Sequence, residues 1–144
     1  MTSAGDSKGC ILVVDDLATN RNLVSRRFKQ AGFEVIEAES GPVALDLIGS
    51  RAFDLVLLDI IMPEMDGIEV LDRIRAMHSE GSLPVIMLTA KGDSADIVQA
   101  LKHGANDYFV KPVNFPVALA RVDTQLARKR AEASLHERLQ RLSR

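Results

Sequence analysis

The stretch DLVLLDIIMPEMDG, residues 54 to 67, joins an unbroken apolar run to an acidic turn. Such a run is typical of a strand that is buried on both faces of a parallel sheet. Asp59 follows this run directly, and two isoleucines and a methionine come after it. Burying an unpaired carboxylate is costly. We therefore expect Asp59 to have a charged partner or a chemical role.

Strand-like runs alternate with helical patterns along the whole chain. The runs begin near Cys10, Glu34, Leu55, Pro84 and Asp107, at intervals of roughly 21 to 29 residues. This alternation predicts an α/β fold with a doubly wound, five-stranded parallel sheet. No internal repeat or low-complexity segment interrupts it.

The helical segments between these runs have apolar residues at helical spacing, and their starts and ends are marked by capping residues. Ser40, Asp66 and Asp93 precede helical patterns, whereas Gly32 and Gly104 follow them. We expect the apolar residues of each pattern to face the sheet. These residues are Leu23, Val24, Phe28, Ala31, Val43, Ala44, Leu47, Ile48, Val70, Leu71, Ile74, Met77, Ile97, Val98 and Leu101.

Composition narrows the class of protein. The chain has 144 residues, 47% of them hydrophobic, which is enough for one globular domain with a full core. The net charge of -2 provides no basic field for nucleic acid or anionic lipid, and no apolar run is long enough to span a membrane. The lone cysteine, Cys10, is expected to be a buried thiol in a cytoplasmic protein. Residues 1 to 8 are expected to be disordered.

Polar side chains stand at the ends of four predicted strands. Asp15 and Asp16 end the first, Asp59 the third, Thr89 the fourth, and Lys111 the fifth. In open α/β sheets the ligand site lies outside the carboxyl ends of the strands, where the strand order reverses. We therefore expect these five residues to meet at one rim of the sheet.

The chemistry of these side chains is complementary. Two carboxylates about 4 Å apart repel by roughly 4 kcal/mol at an effective dielectric near 20, so three of them require cations. Lys111 can neutralise one carboxylate. The others suit Mg²⁺, with Mn²⁺ as a substitute. An aspartate beside such a metal can attack phosphorus, and Thr89 and Lys111 could then donate to the phosphoryl oxygens.

Together, DD at 15 and 16, D at 59 followed by IIMPEMDG, TAK at 89 to 91 and YFVKP at 108 to 112 resemble the receiver domain of two-component response regulators. The resemblance covers about residues 9 to 122. It implies the flavodoxin-like strand order 2-1-3-4-5 and a cis peptide bond before Pro112. It also implies a phosphoprotein that receives its phosphoryl group from a sensor histidine kinase or a phosphotransfer protein and acts in signal transduction.

The resemblance also implies a role for each matching residue. Asp59 would be the phosphoacceptor, and Asp15, Asp16, Asp59 and the backbone carbonyl of Ile61 would bind magnesium. Thr89 would be the switch hydroxyl and Tyr108 the switch aromatic residue, while Lys111 would pair with the phosphate. The family pattern places Ile61 and Lys91 where they influence hydrolysis, so an apolar residue at 61 and a lysine at 91 predict slow autodephosphorylation.

Each of these residues also has an ordinary structural interpretation. An aspartate pair can begin a helix, and Thr89, Lys111 and Tyr108 could be a strand end, a surface lysine and a half-buried aromatic residue. Their joint occurrence at successive strand ends favours the phosphoacceptor site. The remaining loop acids and the histidines are assigned capping or solvated roles rather than metal binding. These are Asp54, Glu64, Asp66, Asp93, Asp107, His78, His103 and His136.

Two other classes fit the motifs less well. A phosphatase with an aspartyl-phosphate intermediate of the haloacid-dehalogenase type would have DxDx[TV] after the first strand, where this chain has DDLAT. A nucleotide-binding domain would have a glycine-rich phosphate loop after a strand, and no such motif occurs. The chain is therefore interpreted as a signalling switch rather than an enzyme.

Residues 123 to 144 predict a helical extension. Leu119, Val122 and Leu126 share one helix face, which we expect to cover the sheet. A second face, rotated by roughly 160°, carries Leu135, Leu139 and Leu142 in the spacing of a short coiled coil. This face predicts a weak homodimer or a stalk to an output domain such as a cyclase or kinase. A stand-alone phosphotransfer shuttle is the alternative, and no direct contact with nucleic acid is expected.

Overall fold

Five strands and five helices alternate along the chain in the computed structural model, which describes residues 7–90 and 94–143. The strands are β1 Cys10–Val14, β2 Glu34–Ala38, β3 Leu55–Asp59, β4 Val85–Thr89 and β5 Asp107–Val110. The helices are α1 Ala18–Gln30, α2 Gly41–Ser50, α3 Gly67–Met77, α4 Ser94–Lys102 and α5 Phe115–Leu142.

The strands form one parallel sheet in the order β2-β1-β3-β4-β5. The predicted fold class, strand order and extended C-terminal helix are therefore confirmed. The chain reverses its direction across the sheet between the neighbouring strands β1 and β3, and this switch point opens a crevice at their carboxyl ends. Asp15 follows β1 and Asp59 ends β3, so both carboxylates lie at that crevice.

The two faces of the sheet bury separate apolar clusters. Alternate residues of each strand point to opposite faces, so Ile11 and Val13 of β1 pack with α1 and α5, whereas Leu12 and Val14 pack with α2, α3 and α4. Burial on both faces is the reason that the central strands are continuous apolar runs. Cys10 belongs to the second cluster and is a buried free thiol, as the sequence predicts.

The capping residues begin helices as predicted. The Ser40 hydroxyl accepts a hydrogen bond from Val43 N–H at the start of α2, and the Asp66 carboxylate accepts one from Glu69 N–H at the start of α3. Gly32 and Gly104 follow α1 and α4 with φ of +102° each, a conformation that favours glycine. Asp93 lies outside the described residues.

The predicted helix faces are wrong at some positions. Leu23, Val43 and Met77 are exposed, and α4 packs on the sheet mainly through Ala100, which leaves Val98 and Leu101 45–49% exposed. A short side chain at position 100 allows a close approach to the sheet, so the larger apolar residues of α4 turn toward solvent. Apolar spacing identified these helices, but it did not give their rotation about their own axes.

The helix α5 continues past the sheet and is tied to the opposite end of the central strands. Its first half buries Val122 and Leu126, as predicted, with Leu119 partly buried beside them. Lys129 Nζ then donates to Phe53 O and to Asp54 Oδ1 at 3.2–3.3 Å, next to the start of β3. These bonds hold the extension against the end of the sheet that is remote from Asp59.

The last turns of α5 have an uncovered apolar face. Leu135, Leu139 and Leu142 are exposed, and the first two line an apolar groove beside the loop between α3 and β4. Within the described residues, no helix is long and apolar enough to cross a membrane. The expected disordered segment lies mostly outside the described residues, although Lys8 N–H donates to Gly32 O at 3.1 Å.

Candidate functional site

Three carboxylates meet at the crevice between β1 and β3. Asp15, Asp16 and Asp59 each offer an oxygen, and these oxygens all lie within 4.8 Å of one another. Asp15 and Asp59 are buried, and Asp16 is partly exposed. The sequence prediction that these three acids meet is therefore confirmed, and their arrangement concentrates negative charge where water is largely excluded.

Lys111 approaches the acids from the far edge of the sheet. It follows β5, and its ammonium donates to Asp59 Oδ2 at 3.0 Å and to Asp15 Oδ2 at 3.4 Å. The peptide bond between Lys111 and Pro112 is cis, as the family resemblance implies. The expected charged partner of Asp59 is thus Lys111.

Burial and charge shift the pKa values of this pair. Burial raises the pKa of Asp59 from 3.8 to about 6, because the opposing hydrogen bond and charge of Lys111 do not offset the loss of solvent and the repulsion by Asp15. Burial alone would lower the pKa of Lys111, but the hydrogen bond and charge of Asp59 outweigh it and raise that pKa. The ammonium therefore stays charged, and the protein disfavours the ionised form of Asp59.

The backbone around Asp15 is held by several hydrogen bonds. Its N–H donates to Ala38 O at 3.2 Å, its Oδ1 accepts from Leu17 N–H at 2.9 Å, and its carbonyl accepts from the Arg21 guanidinium at 2.8 Å. Arg21 also donates to Glu37 Oε1 at 3.1 Å. Sequence reasoning did not assign Arg21 or Glu37 to the site, because Arg21 lies within a helix and Glu37 within a strand, and neither follows the carboxyl end of a strand.

The donor set fits a hard divalent cation. Mg²⁺ takes oxygen ligands, is commonly held by one or two carboxylates and completes its shell with waters and phosphate oxygens. Three carboxylates with one ammonium leave an excess of negative charge, which such an ion would offset. Asp15, Asp16 and Asp59 are therefore chemically suited to hold it, and a ligand role for the Ile61 carbonyl stays a prediction.

A pocket of about 290 Å³ opens above Asp59. Its lining includes Asp16, Thr89, Lys111 and Ile61, so the structure brings these predicted site residues together. Thr89 is buried, and among the described residues its hydroxyl makes one long hydrogen bond, of 3.4 Å to Ala90 O. The Ile61 side chain is 64% exposed. The pocket thus has a carboxylate, an ammonium and a hydroxyl around a space that can hold a small group.

Tyr108 lies apart from this pocket. Its ring is partly buried against the apolar cluster under α2, α3 and α4, and its carbonyl accepts a hydrogen bond from Arg121 at 3.0 Å. In the register of β4 and β5, Tyr108 is paired with Met87 and Val110 with Thr89. Tyr108 is therefore a neighbour of the site, not a part of its lining. Lys91 lies outside the described residues.

Gly67 is a further requirement of the site that sequence reasoning treated only as a helix start. A Cβ atom at this position would lie 2.2 Å from the backbone oxygen of Asp59, and Gly67 N–H donates to Ile60 O at 2.6 Å. Only glycine lets α3 begin this close to the end of β3. The acidic turn between them includes Glu64 with a φ of 69°.

Several of the remaining acids and histidines pair with groups outside the pocket. Asp54 Oδ2 accepts a hydrogen bond from Cys10 N–H at 2.7 Å; burial opposes a low pKa there, but this bond and Lys129 lower it. Asp107 lies 3.5 Å from Arg121, and His103 Nδ1 lies 2.5 Å from Asp72. In the described ranges, no histidine belongs to a cluster that could hold a metal.

The model of one protein family matches most of the chain. Residues 11–123 match the response regulator receiver domain. This range contains β1 from its second residue onward, the other four strands and the residues of the pocket above Asp59.

Curated relatives match the same region. The chain is 40% identical over 126 residues to a probable cyclic di-GMP phosphodiesterase of Vibrio cholerae, covering 88% of this chain and 28% of that protein. It is 39% identical over 118 residues to the phosphate regulon transcriptional regulatory protein PhoB of Pseudomonas aeruginosa, covering 82% and 52%. The chain thus spans between about a quarter and half of the length of these relatives.

Solved structures share the fold. The receiver domain of NtrX from Brucella abortus superposes with a TM-score of 0.77 at 34% identity, covering 81% of this chain and 98% of that chain. A longer NtrX chain from the same organism gives a TM-score of 0.83 at 31% identity, covering 90% of this chain and 29% of that chain.

Proposed function

The chain belongs to the response regulator receiver family, and from this premise we propose that Asp59 is the residue that accepts the phosphoryl group. A receiver domain is a signalling switch, and the phosphoryl donor proposed here is the phosphohistidine of a sensor histidine kinase or of a phosphotransfer protein. The observation that carries the assignment is the position of Asp59, a buried carboxylate at the end of the central strand β3 beside Lys111.

The proposed reaction is an in-line transfer to oxygen. A carboxylate oxygen of Asp59 forms a bond to phosphorus while the bond from phosphorus to the imidazole nitrogen breaks, and the imidazole keeps the electron pair of that bond. Lys111 and the Thr89 hydroxyl donate to the phosphoryl oxygens in the pocket. The ionised form of Asp59 is the nucleophile, so its raised pKa makes the reaction slow in acid.

A magnesium ion, with Mn²⁺ as a substitute, completes the proposed site. Asp15, Asp16, Asp59 and the carbonyl of Ile61 would hold it, and when bound it supplies positive charge against the phosphoryl oxygens. The support for this proposal is the close approach of the three carboxylate oxygens. Without the ion, these acids oppose the approach of an anionic donor, and Lys111 offsets part of their charge.

The assignment of Asp59 can be tested with a small phosphodonor. Incubation with acetyl phosphate and Mg²⁺ should add one phosphate to the protein, seen by intact mass, and a peptide map should place it on residue 59. The variant Asp59→Asn keeps the shape and removes the nucleophile, so it should gain no adduct. Asp54→Asn is the matched control at the other end of β3, and it should accept one phosphate. An unchanged adduct on Asp59→Asn would overturn the assignment.

The same incubation distinguishes a switch from a phosphatase. A stable, stoichiometric adduct supports the proposal that the chain is not an enzyme acting on external substrates. Release of many equivalents of inorganic phosphate per protein would instead support the aspartyl-phosphate phosphatase that the sequence favoured less.

The output of the switch is proposed from the C-terminal extension. We assign residues 9 to 122 to the receiver and residues 123 to 144 to a helical extension that acts as a stalk or as a weak dimer contact. The named relatives include a probable phosphodiesterase and a transcriptional regulator, which supports control of a separate output domain. The output domain proposed for this chain is a cyclase, a kinase or a similar effector. A stand-alone phosphotransfer shuttle is the alternative. The proposed location is the cytoplasm, without direct contact with nucleic acid or membrane.

A further inference from the structure

We propose that Arg21 is a positioning residue for the acidic metal site, acting through the peptide unit that joins Asp15 to Asp16. This inference rests on the proposed function, since it concerns the magnesium site. The guanidinium spans two elements: Nη1 donates to Asp15 O at 2.8 Å, and Nε donates to Glu37 Oε1 at 3.1 Å. Arg21 belongs to α1 and Glu37 to β2, so the arginine joins both elements to the end of β1.

The carbonyl that Arg21 holds controls the direction of the next residue. A peptide unit is planar, so a fixed Asp15 carbonyl fixes the plane from which the Asp16 Cα and side chain project. The N–H of Asp15 is already held by Ala38 O at 3.2 Å. Hydrogen bonds at the N–H of Asp15 and at its carbonyl therefore define the course of the backbone into Asp16.

Asp16 depends on its backbone more than Asp15 does. The Asp15 carboxylate accepts from Leu17 N–H at 2.9 Å and from Lys111 Nζ at 3.4 Å. Among the hydrogen bonds within residues 7–90 and 94–143, none reaches the carboxylate of Asp16, which is also less buried than Asp15. Because no described residue hydrogen-bonds to this carboxylate, loosening the peptide unit before it should spread the positions of the Asp16 side chain and weaken metal binding.

Arg21 acts on the metal site through the directions of its hydrogen bonds more than through its net charge. Glu37 offsets the positive charge of the guanidinium, and the two side chains are only 15% and 31% exposed. The planar fork of arginine can serve two acceptors in fixed directions, which the single ammonium of lysine does not reproduce. Arg21→Lys should therefore fail to restore the site even though it keeps the charge.

The competing explanation is that Arg21 only stabilises the packing of α1 against β2. A second arginine that pairs with β2 provides a matched control for this explanation. Arg51 Nη2 pairs with Glu34 Oε1 at 3.4 Å, at the opposite end of β2 from Glu37. Both arginines pair with a glutamate of the same strand, but only Arg21 also holds backbone of the acidic site. If bracing were the whole effect, neither arginine would change metal affinity.

The test measures Mg²⁺ affinity with the metal alone, by calorimetry at neutral pH, on wild type, Arg21→Met, Arg21→Lys and Arg51→Lys. Residues that orient metal ligands typically contribute about 10-fold or more to affinity. We expect the dissociation constant to rise about 10-fold in both Arg21 variants and by less than about twofold in Arg51→Lys. Urea unfolding without metal measures any loss of stability separately.

Each result of this experiment either supports or overturns the positioning role of Arg21. Arg21 variants that bind Mg²⁺ within about twofold of wild type, whatever their stability, would overturn the positioning role. If Arg21→Met does not fold, Glu37→Gln serves instead, because it loosens the hold on Nε and should still raise the dissociation constant for Mg²⁺. A wild-type protein that binds no Mg²⁺ would remove the metal site itself, which is a failure of the proposed function and distinct from unchanged binding in the variants.

Discussion

The Lys111 ammonium donates to Asp59 Oδ2 across 3.0 Å, although β4 separates β3 from β5 in the sheet. The lysine spans a neighbouring strand to reach the carboxylate, and it bonds to Asp15 as well. One ammonium thus serves two of three clustered acids. Burial of Asp59, together with the negative charge of Asp15, opposes its ionisation, and a bound divalent cation would offset the excess negative charge of the cluster.

The first prediction concerns the stability of the metal-free protein. The pKa of Asp59 is raised from 3.8 to about 6, so the folded state binds the proton more tightly than the unfolded state does. The free energy of unfolding should therefore fall as pH rises between these values, and Asp59→Asn should be more stable than wild type at pH 7 by up to about 3 kcal/mol. Urea denaturation in a chelator at a series of pH values measures this.

Asp54→Asn is a control for which we expect the opposite effect on the free energy of unfolding. The pKa of Asp54 is lowered by its hydrogen bonds, so its carboxylate stabilises the fold above the unfolded pKa, and that stability is lost as pH falls. Asp54→Asn should therefore destabilise the protein at pH 7. An Asp59→Asn variant that is less stable than wild type at pH 7 would contradict the interpretation that ionised Asp59 destabilises the folded protein.

The second prediction is that Mg²⁺ stabilises the folded protein. Binding to the folded state alone contributes about 1.4 kcal/mol at tenfold excess over the dissociation constant. The melting temperature should rise with millimolar Mg²⁺ in wild type and much less in Asp16→Asn, which loses one of the clustered acids. Asp72→Asn, on the surface of α3, is a control that should respond like wild type. A wild-type melting temperature indifferent to Mg²⁺ would argue against a metal at the three acids.

The third prediction concerns coupling between Thr89 and Tyr108. We expect phosphorylation to draw the Thr89 hydroxyl toward the phosphate and to let the Tyr108 ring move into the freed space beside α4. Thr89→Ala should still accept phosphate at Asp59 but should blunt the change in amide chemical shifts of α4, Ser94–Lys102. Thr89→Ser keeps a hydroxyl and should retain most of the response. Identical shift changes in wild type and Thr89→Ala would show that the hydroxyl does not carry the coupling.

The fourth prediction concerns the lifetime of the phosphorylated state. Hydrolysis needs a water in line with phosphorus, and the exposed apolar side chain of Ile61 at the pocket offers that water no hydrogen bond. Ile61→Asn combined with Lys91→Glu should speed loss of phosphate about tenfold, which corresponds to about 1.4 kcal/mol of barrier. Decay of the adduct at fixed pH and Mg²⁺ measures this, with Ile61→Val as the conservative control. A decay rate equal to or below that of wild type would oppose this role.

The fifth prediction concerns the extension of α5. The exposed leucines 135, 139 and 142 form barely one heptad of apolar seam, which is too short to hold a stable pair of helices alone. We expect a weak dimer that strengthens with a beryllofluoride mimic of the phosphate, seen by sedimentation at several concentrations. Leu135→Asp with Leu139→Asp should abolish it.

Leu23→Asp is the control for the fifth prediction, because Leu23 is an exposed leucine that belongs to α1 and not to the α5 extension. Its dimerisation should match that of wild type. A protein that is monomeric in both states at all concentrations, or a dimer indifferent to the paired substitution, would instead favour the stand-alone shuttle.

The sequence by itself determined the architecture and most of the candidate site. Strands buried on both faces must be continuous apolar runs, so five such runs separated by helical patterns define a doubly wound parallel sheet. Parallel strands deliver the residues at their carboxyl ends to one rim. Asp15, Asp16, Asp59, Thr89 and Lys111 could therefore be grouped before any contact was known, because a strand end is a local feature of the chain.

Only the tertiary structure decided features that depend on packing between distant segments. The rotation of α4, which exposes Val98 and Leu101, depends on how Ala100 meets the sheet, and apolar spacing within α4 cannot specify it. The bond from Lys129 to Asp54 joins residues 75 positions apart. From the sequence, Arg21 is an ordinary helix residue, and its contacts with Asp15 and Glu37 follow from the packing of α1 beside β1 and β2. Periodicity in the sequence indicates the conformation of one segment. The partner of a side chain depends instead on how several segments pack together, and this packing brings Arg21 to the carbonyl of Asp15.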